Sequence, residues 1–346
     1  MDARVVKKER LPELLDRLAR ETVLIAPVRE EETVTLFKIV SGGHEVELNY
    51  TNSDVPPKAF FFPQTEKMFS FRTTGGTLEI QEANSTEKMV LFGVRPCDVK
   101  SLEVLDPVFN GKYKDNYYAG KRENSVIIGL SCPAVLSTCF CKAFDSGPCD
   151  GRGTDLMFTD VGDQYFVEIN TPKGLSLVEA NREYFSEQGV AGAAGGKEAI
   201  EKELSDQFYR VVDLKGVKEI LDRHFELPYW EKISKKCLGC GICTFICPTC
   251  HCFDIFDHMA GDYAGDRFRC WDSCMFQDFT LMAGGHNPRP TKKERVRNRF
   301  MHKLKYHLDR YGVNGCVGCG RCIVKCPVNM DITEIIKDLR EVGKNE

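Results

Sequence analysis

Leucines at positions 11, 14, 15 and 18 recur every three to four residues, so the pattern predicts an amphipathic helix over 7–19 with Pro12 in its first turn. Runs of β-branched and apolar residues at 22–27 and 33–40 predict strands. Phe60, Phe61 and Phe62 stand between prolines and predict a buried extended segment. Unbroken apolar runs at 88–94 and 125–130 predict buried strands, with a helix over 99–105 between them, capped by Asp98. Strand, helix, strand at this spacing predicts a βαβ unit of a parallel sheet, in which functional groups gather at the carboxyl ends of the strands. A hairpin over 155–169 turns at Gly162-Asp163. Helical patterns over 176–185, 197–208 and 215–224 complete the first unit. The small-residue stretch 189–197 fails as a phosphate loop, because Glu198 stands where Ser or Thr must hold magnesium and Ala191 where the leading glycine belongs. It reads as a flexible connector.

Leu227-Pro-Tyr-Trp230 marks a junction, with Trp230 anchoring the next unit. A basic helix over 291–311 carries apolar Val296, Phe300, Met301 and Leu304, and an amphipathic helix covers 332–342. The basic helix reads as a solvated face or as a dock for an acidic partner. The expected fold is an α/β N-terminal domain over 1–228, then a mostly helical two-cluster ferredoxin-like domain over 229–346 with a long insert at 248–315.

Composition narrows the function. A chain of 346 residues has room for two cores, and a net charge of −4 gives no global basic footprint for nucleic acid. No apolar run approaches a membrane span, and the N-terminus lacks the apolar core of an export signal, so a cytoplasmic location is expected. The 17 cysteines then point to metal rather than to a secreted disulfide framework, in a reducing and anoxic setting.

Eight cysteines fall in two runs, Cys237-Leu-Gly-Cys240-Gly-Ile-Cys243-Thr-Phe-Ile-Cys247-Pro248 and Cys316-Val-Gly-Cys319-Gly-Arg-Cys322-Ile-Val-Lys-Cys326-Pro327. Both read C-x2-C-x2-C-x3-C-P, the two-cluster ferredoxin pattern, in which the fourth cysteine of each run serves the other run's cluster. Ferredoxin geometry therefore assigns Cys237, Cys240, Cys243 and Cys326 to one [4Fe–4S] cluster and Cys316, Cys319, Cys322 and Cys247 to the other. Zinc pairs lack the third step and the trailing Cys-Pro. Glycines at 239, 241, 318 and 320 let backbone amides approach the sulfurs.

Nine cysteines remain. Cys97 and Cys132 each follow a predicted strand, and with Cys139 and Cys141 they form a candidate third [4Fe–4S] site; Cys149 is a spare or substitute, and buried free thiols are the alternative. Cys250, Cys252, Cys270 and Cys274, with His251 nearby, form a candidate fourth metal site or a redox-active or structural set of thiols. The other histidines show no ligand spacing. Arg95, Arg152 and Arg321 either offset cluster charge or are solvated.

Several motifs together resemble a known family. Gly93-Val-Arg-Pro-Cys-Asp98, Cys139-Phe-Cys141 with Ser146-Gly-Pro148, Cys247-Pro-Thr-Cys-His-Cys-Phe-Asp254, and Trp271-Asp-Ser-Cys274 through Ala283-Gly-Gly-His-Asn287 are similar to the beta subunit of cytoplasmic sulfhydrogenases and to the A-type subunit of anaerobic sulfite reductases. The resemblance runs from about residue 60 to the C-terminus. It implies an electron-transfer subunit with two ferredoxin-type clusters beside a flavin- and NAD(P)H-binding reductase subunit. Hydrogenase, sulfite-reducing or heterodisulfide-reductase-like subunits would be the other partners. The chain shows no dinucleotide fingerprint, Walker A motif or nickel-ligand pair, so the hard chemistry is expected in those partners. A stand-alone sulfur or disulfide reductase with its own flavin or a cysteine-rich catalytic site is the alternative, and a zinc-rich interaction protein a third.

Overall fold

The computed structural model describes residues 2–83 and 87–344. The leucine pattern forms α1 (Leu11–Glu21) between β1 (Asp2–Lys7) and β2 (Val23–Glu31), and β3 (Val34–Ile39) returns antiparallel on β2. Then come β4 (Thr65–Thr74), β5 (Thr77–Glu82), β6 (Met89–Val94), α2 (Pro96–Phe109), α3 (Asn116–Glu123) and β7 (Ser125–Leu130). The expected hairpin is β8 (Leu156–Asp160) with β9 (Gln164–Ile169). The main sheet runs β1-β9-β8-β7-β6-β2-β3, and β2, β6, β7 and β8 are mutually parallel neighbours.

Apolar residues on both faces of the central strands explain their unbroken hydrophobicity. Val90 and Phe92 of β6, with Ile128 and Leu130 of β7, pack under the α1 leucines. Leu91 and Ile127 face Val99, Leu102 and Leu105 of α2 and Tyr118 of α3. A bulge at Gly93 (φ +81°) shifts the β6–β7 register, so Val94 joins the Leu91 face and the chain turns into Arg95 and Cys97 at the carboxyl edge.

Three local expectations change. α2 begins at Pro96, a favoured first helical position, so Asp98 lies inside the first turn instead of capping it. Phe61 and Phe62 are buried, but Pro57–Phe60 is a 3₁₀ turn, not an extended segment. After α4 (Pro172–Ala180), the stretch read as a connector is the first half of α5 (Val190–Asp206). Ala193 packs on Val5 and Phe166, and a Cβ on Gly196 would lie 3.3 Å from Val161. Its small residues bring the helix close to β1 and β9, a packing role that composition alone disguises.

Downstream lie α6 (Val217–Arg223), α7 (Pro228–Ser234), the one-turn α8 (Ile242–Phe245), β10 (Phe253–Gly261), β11 (Ala264–Trp271), α9 (Lys292–Met301), α10 (His307–Tyr311), the one-turn α11 (Arg321–Val324) and α12 (Ile332–Lys344). Trp230 stacks on Phe300 (6.5 Å, 10°) inside a core shared with Leu221, Ile332, Ile336 and Leu339. The helical expectation fails for 253–271. There, aromatic and aliphatic residues around a short turn form the β10–β11 hairpin. It completes a second sheet, β10-β11-β4-β5, whose other two strands come from the first 228 residues. The buried Arg269 of β11 holds this join by pairing with Glu66 and Asp115.

Candidate iron–sulfur centres

The two cysteine runs fold alike. Gly241 and Gly320 adopt the same left-handed conformation (φ 76°, ψ −11°) and start α8 and α11, which lie against each other. Gly239 and Gly318 are also left-handed, at φ +73° and +67°. This geometry suits glycine and turns backbone amides toward sulfur: Gly239 N–H donates to Cys237 Sγ at 3.3 Å, and Met330 N–H to Cys326 Sγ at 3.2 Å.

The thiols group across the runs. Cys237, Cys240, Cys243 and Cys326 line one cavity together with Met275, Val296 and Phe300. Burial pushes Cys316 up to about 11 and Cys319 up to about 12, and both feel Cys322 and Cys247. The fourth cysteine of each run therefore stands with the first three of the other.

The basic helix is the largest surprise. Arg295, Arg297, Arg299 and Lys303 are buried, not offered to solvent or to an acidic partner. Arg299 lines the first cavity, and its Nε and Nη2 have no hydrogen-bond partner. Burial works against its charge, yet Cys243, Cys322, Cys250 and Cys247 hold the guanidinium protonated. Lys303, one turn on in a π-helical segment (His302–Tyr306), donates to Cys247 Sγ at 3.1 Å and to Gly315 O at 3.0 Å. A buried guanidinium with orphan donors calls for an anion. Two [4Fe–4S] groups, each anionic with four thiolates and each exchanging one electron, fit these residues. Among the described residues, no three Cys, His, Asp or Glu side chains converge on a single ion. Thiols that grip the corners of a cube stand farther apart than the ligands of one zinc.

The third candidate set is also brought together. Cys97 lies in the first turn of α2 and Cys132 just beyond β7. Cys97 and Cys139 are raised by burial, Cys132 is raised to about 11 for the same reason, and Cys141 is raised further. Cys132 feels Cys139, and Cys141 feels both. Arg95 is buried and donates to the carbonyls of Leu130, Ser131, Leu48 and Tyr50, while its Nε stays unpaired. Arg321 is buried in a bidentate pair with Asp98 (2.6 and 2.7 Å), whereas Arg152 is exposed and pairs with Asp145 and Asp150.

The fourth set is divided. Cys250 sits against Cys247 and, together with Lys303 and Lys58, holds Cys247 well below an ordinary thiol. Cys274 sits against Cys252 and lowers it to about 7. Cys270 instead contacts Thr65 Oγ1 at 3.5 Å on the neighbouring strand. Lys58 is buried over the Trp271 ring (4.1 Å) and donates to Cys250 O at 2.8 Å; burial lowers it to about 8.

Sequence reading also missed a triangle of histidines, His307 buried and His251 and His302 half-buried. The rings of His251, His302 and His307 lie 5.4, 5.8 and 6.2 Å apart by centroid. Burial pushes His251 down to about 4 and His302 to about 3. The available signal was spacing: Arg299 and Lys303 recur one turn apart beside the apolar Val296, Phe300 and Leu304, on a helix too basic to be an ordinary core helix.

Residues 236–330 match the family model described as a 4Fe-4S dicluster domain. Over 333 residues, 96% of this chain and 97% of the other, the sequence is 35% identical to Sulfhydrogenase 2 subunit beta of Pyrococcus furiosus. The chain belongs to the sulfhydrogenase beta-subunit family. This similarity reaches into the first 60 residues, beyond the motifs that carried the resemblance. No solved structure matches this sulfhydrogenase beta-family chain. Among its described residues no helix is long and apolar enough to cross a membrane.

Proposed function

We propose that this chain is the iron–sulfur electron-transfer subunit of a cytoplasmic, anaerobic oxidoreductase complex. It relays single electrons between a reductase partner that binds flavin and NAD(P)H and a hydrogenase, sulfite-reducing or disulfide-reducing partner. Cys237, Cys240, Cys243 and Cys326 hold one [4Fe–4S] cluster; Cys316, Cys319, Cys322 and Cys247 hold the other. The observation that carries this reading is the buried Arg299, which lines the cavity of the first thiol set and has unpaired donors, while Cys322 and Cys247 of the second lie close enough to act on its charge. Exposed Leu78, Ile80, Ile255, Phe256 and Met259 on the second sheet support a chain that works inside an assembly.

Anoxic purification with iron and sulfide analysis tests the reading. At least about eight irons per chain are expected, with Cys240→Ser and Cys319→Ser each losing about four. Zinc without iron would sink it. The stand-alone reductase has one observation in its favour, a cavity of about 530 Å³ lined by Arg95, Leu130, Ser131, Cys132 and Tyr165 at the strand ends. Flavin absorbance in the isolated chain, with turnover by that chain alone, would favour it.

A further inference from the structure

We propose that Cys97, Cys132, Cys139 and Cys141 hold a third [4Fe–4S] cluster in the α/β domain, placed next to the cluster of Cys316, Cys319, Cys322 and Cys247. The proposal rests on the electron-transfer reading and extends its path beyond the dicluster domain.

The fold delivers these four thiols from three directions. β6 and β7 are parallel neighbours, so Cys97 and Cys132 emerge at the same edge of the sheet. The Cys139–Cys141 loop closes the set from outside the sheet. Its hold there comes from the second ferredoxin-type run: Phe140 N–H donates to Gly318 O at 2.9 Å. A Cβ on Gly318 would lie 2.5 Å from the Phe140 carbonyl and 2.6 Å from Cys141 N, and one on Gly320 would lie 2.6 Å from Thr138 O. Backbone therefore meets backbone, and only glycine permits it at these positions. Cys97 itself packs with Cys319, Val317 and Val104. The third thiol set is thus in contact with the second ferredoxin-type loop, with no intervening element.

The charges fit the same occupant. Four neutral thiols need no cation, whereas a cluster with four thiolates is an anion. Arg95, buried with an unpaired Nε, acts directly on Cys132 and is the cation available to the set; Arg321 also acts on Cys97 and Cys139, but its charge is paired with Asp98, which opposes it at Cys97. Loading releases the four thiol protons. Thereafter the site takes one electron and gives up one, with no bond made or broken. Cys149 stands at the margin of this set, feeling Cys132 as well as Glu201, Lys197 and Glu168, so its own variant distinguishes a fifth neighbouring thiol from a ligand.

The test uses the full chain, purified without oxygen, with iron, sulfide and EPR measured on the dithionite-reduced protein. About twelve irons are expected, falling to about eight in Cys97→Ser/Cys132→Ser and in Cys139→Ser/Cys141→Ser, with both ferredoxin-type signals kept. Cys149→Ser should stay at about twelve. Alkylation followed by mass spectrometry covers the case of a variant that fails to fold. In the wild-type chain the four thiols should be protected until iron is chelated. About eight irons in the wild type, with these thiols free to alkylate, overturns the third cluster and leaves the two-cluster reading standing. No iron at all overturns that reading itself.

Discussion

Lys303 Nζ donates a 3.1 Å hydrogen bond to Cys247 Sγ from within a π-helical turn. Such turns recur at functional sites because the extra residue re-aims a side chain. Here the turn brings an ammonium group to a sulfur deep inside the protein, where a fixed positive charge favours the more negative, reduced form of whatever that sulfur holds. Lys303→Met should therefore lower the potential of the cluster proposed at Cys247, by tens of mV, 59 mV being about a tenfold change for one electron. Lys303→Arg should recover part of the shift, and iron content should not change. An EPR-monitored redox titration reads the result, and an unshifted midpoint would remove Lys303 from the argument.

Arg299 acts on thiols of both sets. Arg299→Met should lower two midpoints, where Lys303→Met chiefly lowers one, in the same titration.

Asp98 and Arg321 form a buried bidentate pair that ties α2 to α11. Asp98→Ala leaves a buried guanidinium uncompensated and should cost about 3–5 kcal/mol in urea unfolding. A double-mutant cycle with Arg321→Met should recover part of that loss, because the orphaned charge goes with it.

Glycine substitutions should divide by location. Gly318→Ala forces a Cβ against the Phe140 carbonyl at φ +67° and should destabilise by roughly 1–3 kcal/mol. Gly192→Ala and Gly195→Ala place a methyl in open space on α5 and should each stabilise by roughly 0.5–1 kcal/mol. Thermal midpoints of the three variants decide this, and a loss at Gly192 would contradict the helical assignment of 190–206.

The histidine triangle sets a pH dependence. His251 and His302 are held neutral when folded, at about 4 and about 3, and titrate near 6.5 when unfolded. Unfolding therefore takes up protons below about pH 6.5, and stability falls as pH drops toward those folded values, by up to about 1.4 kcal/mol per histidine per pH unit. Urea midpoints between pH 7 and 5.5 should decline, with a shallower slope in His302→Gln.

Much of this was legible before folding. Strand–helix–strand spacing placed Cys97 and Cys132 at one edge because parallel strands with a crossover helix leave little choice. The leucines of α1 and the β8–β9 hairpin follow from local periodicity and turn chemistry. Stretch 189–197 hides its helix because its glycines lower helix propensity and its small residues give no amphipathic periodicity, while Ala193 packs closely on Val5 and Phe166. The basic helix was misread because charge usually means solvent, and its exception depends on the groups lying opposite. The β10–β11 hairpin finds its partners about 200 residues upstream, in β4, beyond the reach of any local pattern.

The sequence by itself determined that eight cysteines are spaced for two cubic clusters, since three thiols two residues apart wrap one corner and a trailing Cys-Pro leaves for another. Tertiary structure brought each run's fourth thiol near the first three of the other run, with α8 set against α11. It also put Arg299 and Lys303 beside those sulfurs, and seated the Cys139–Cys141 loop on Gly318 and Gly320. The physical reason is that thiols from distant parts of the chain, and the buried cations beside them, meet only once the two cores have packed together.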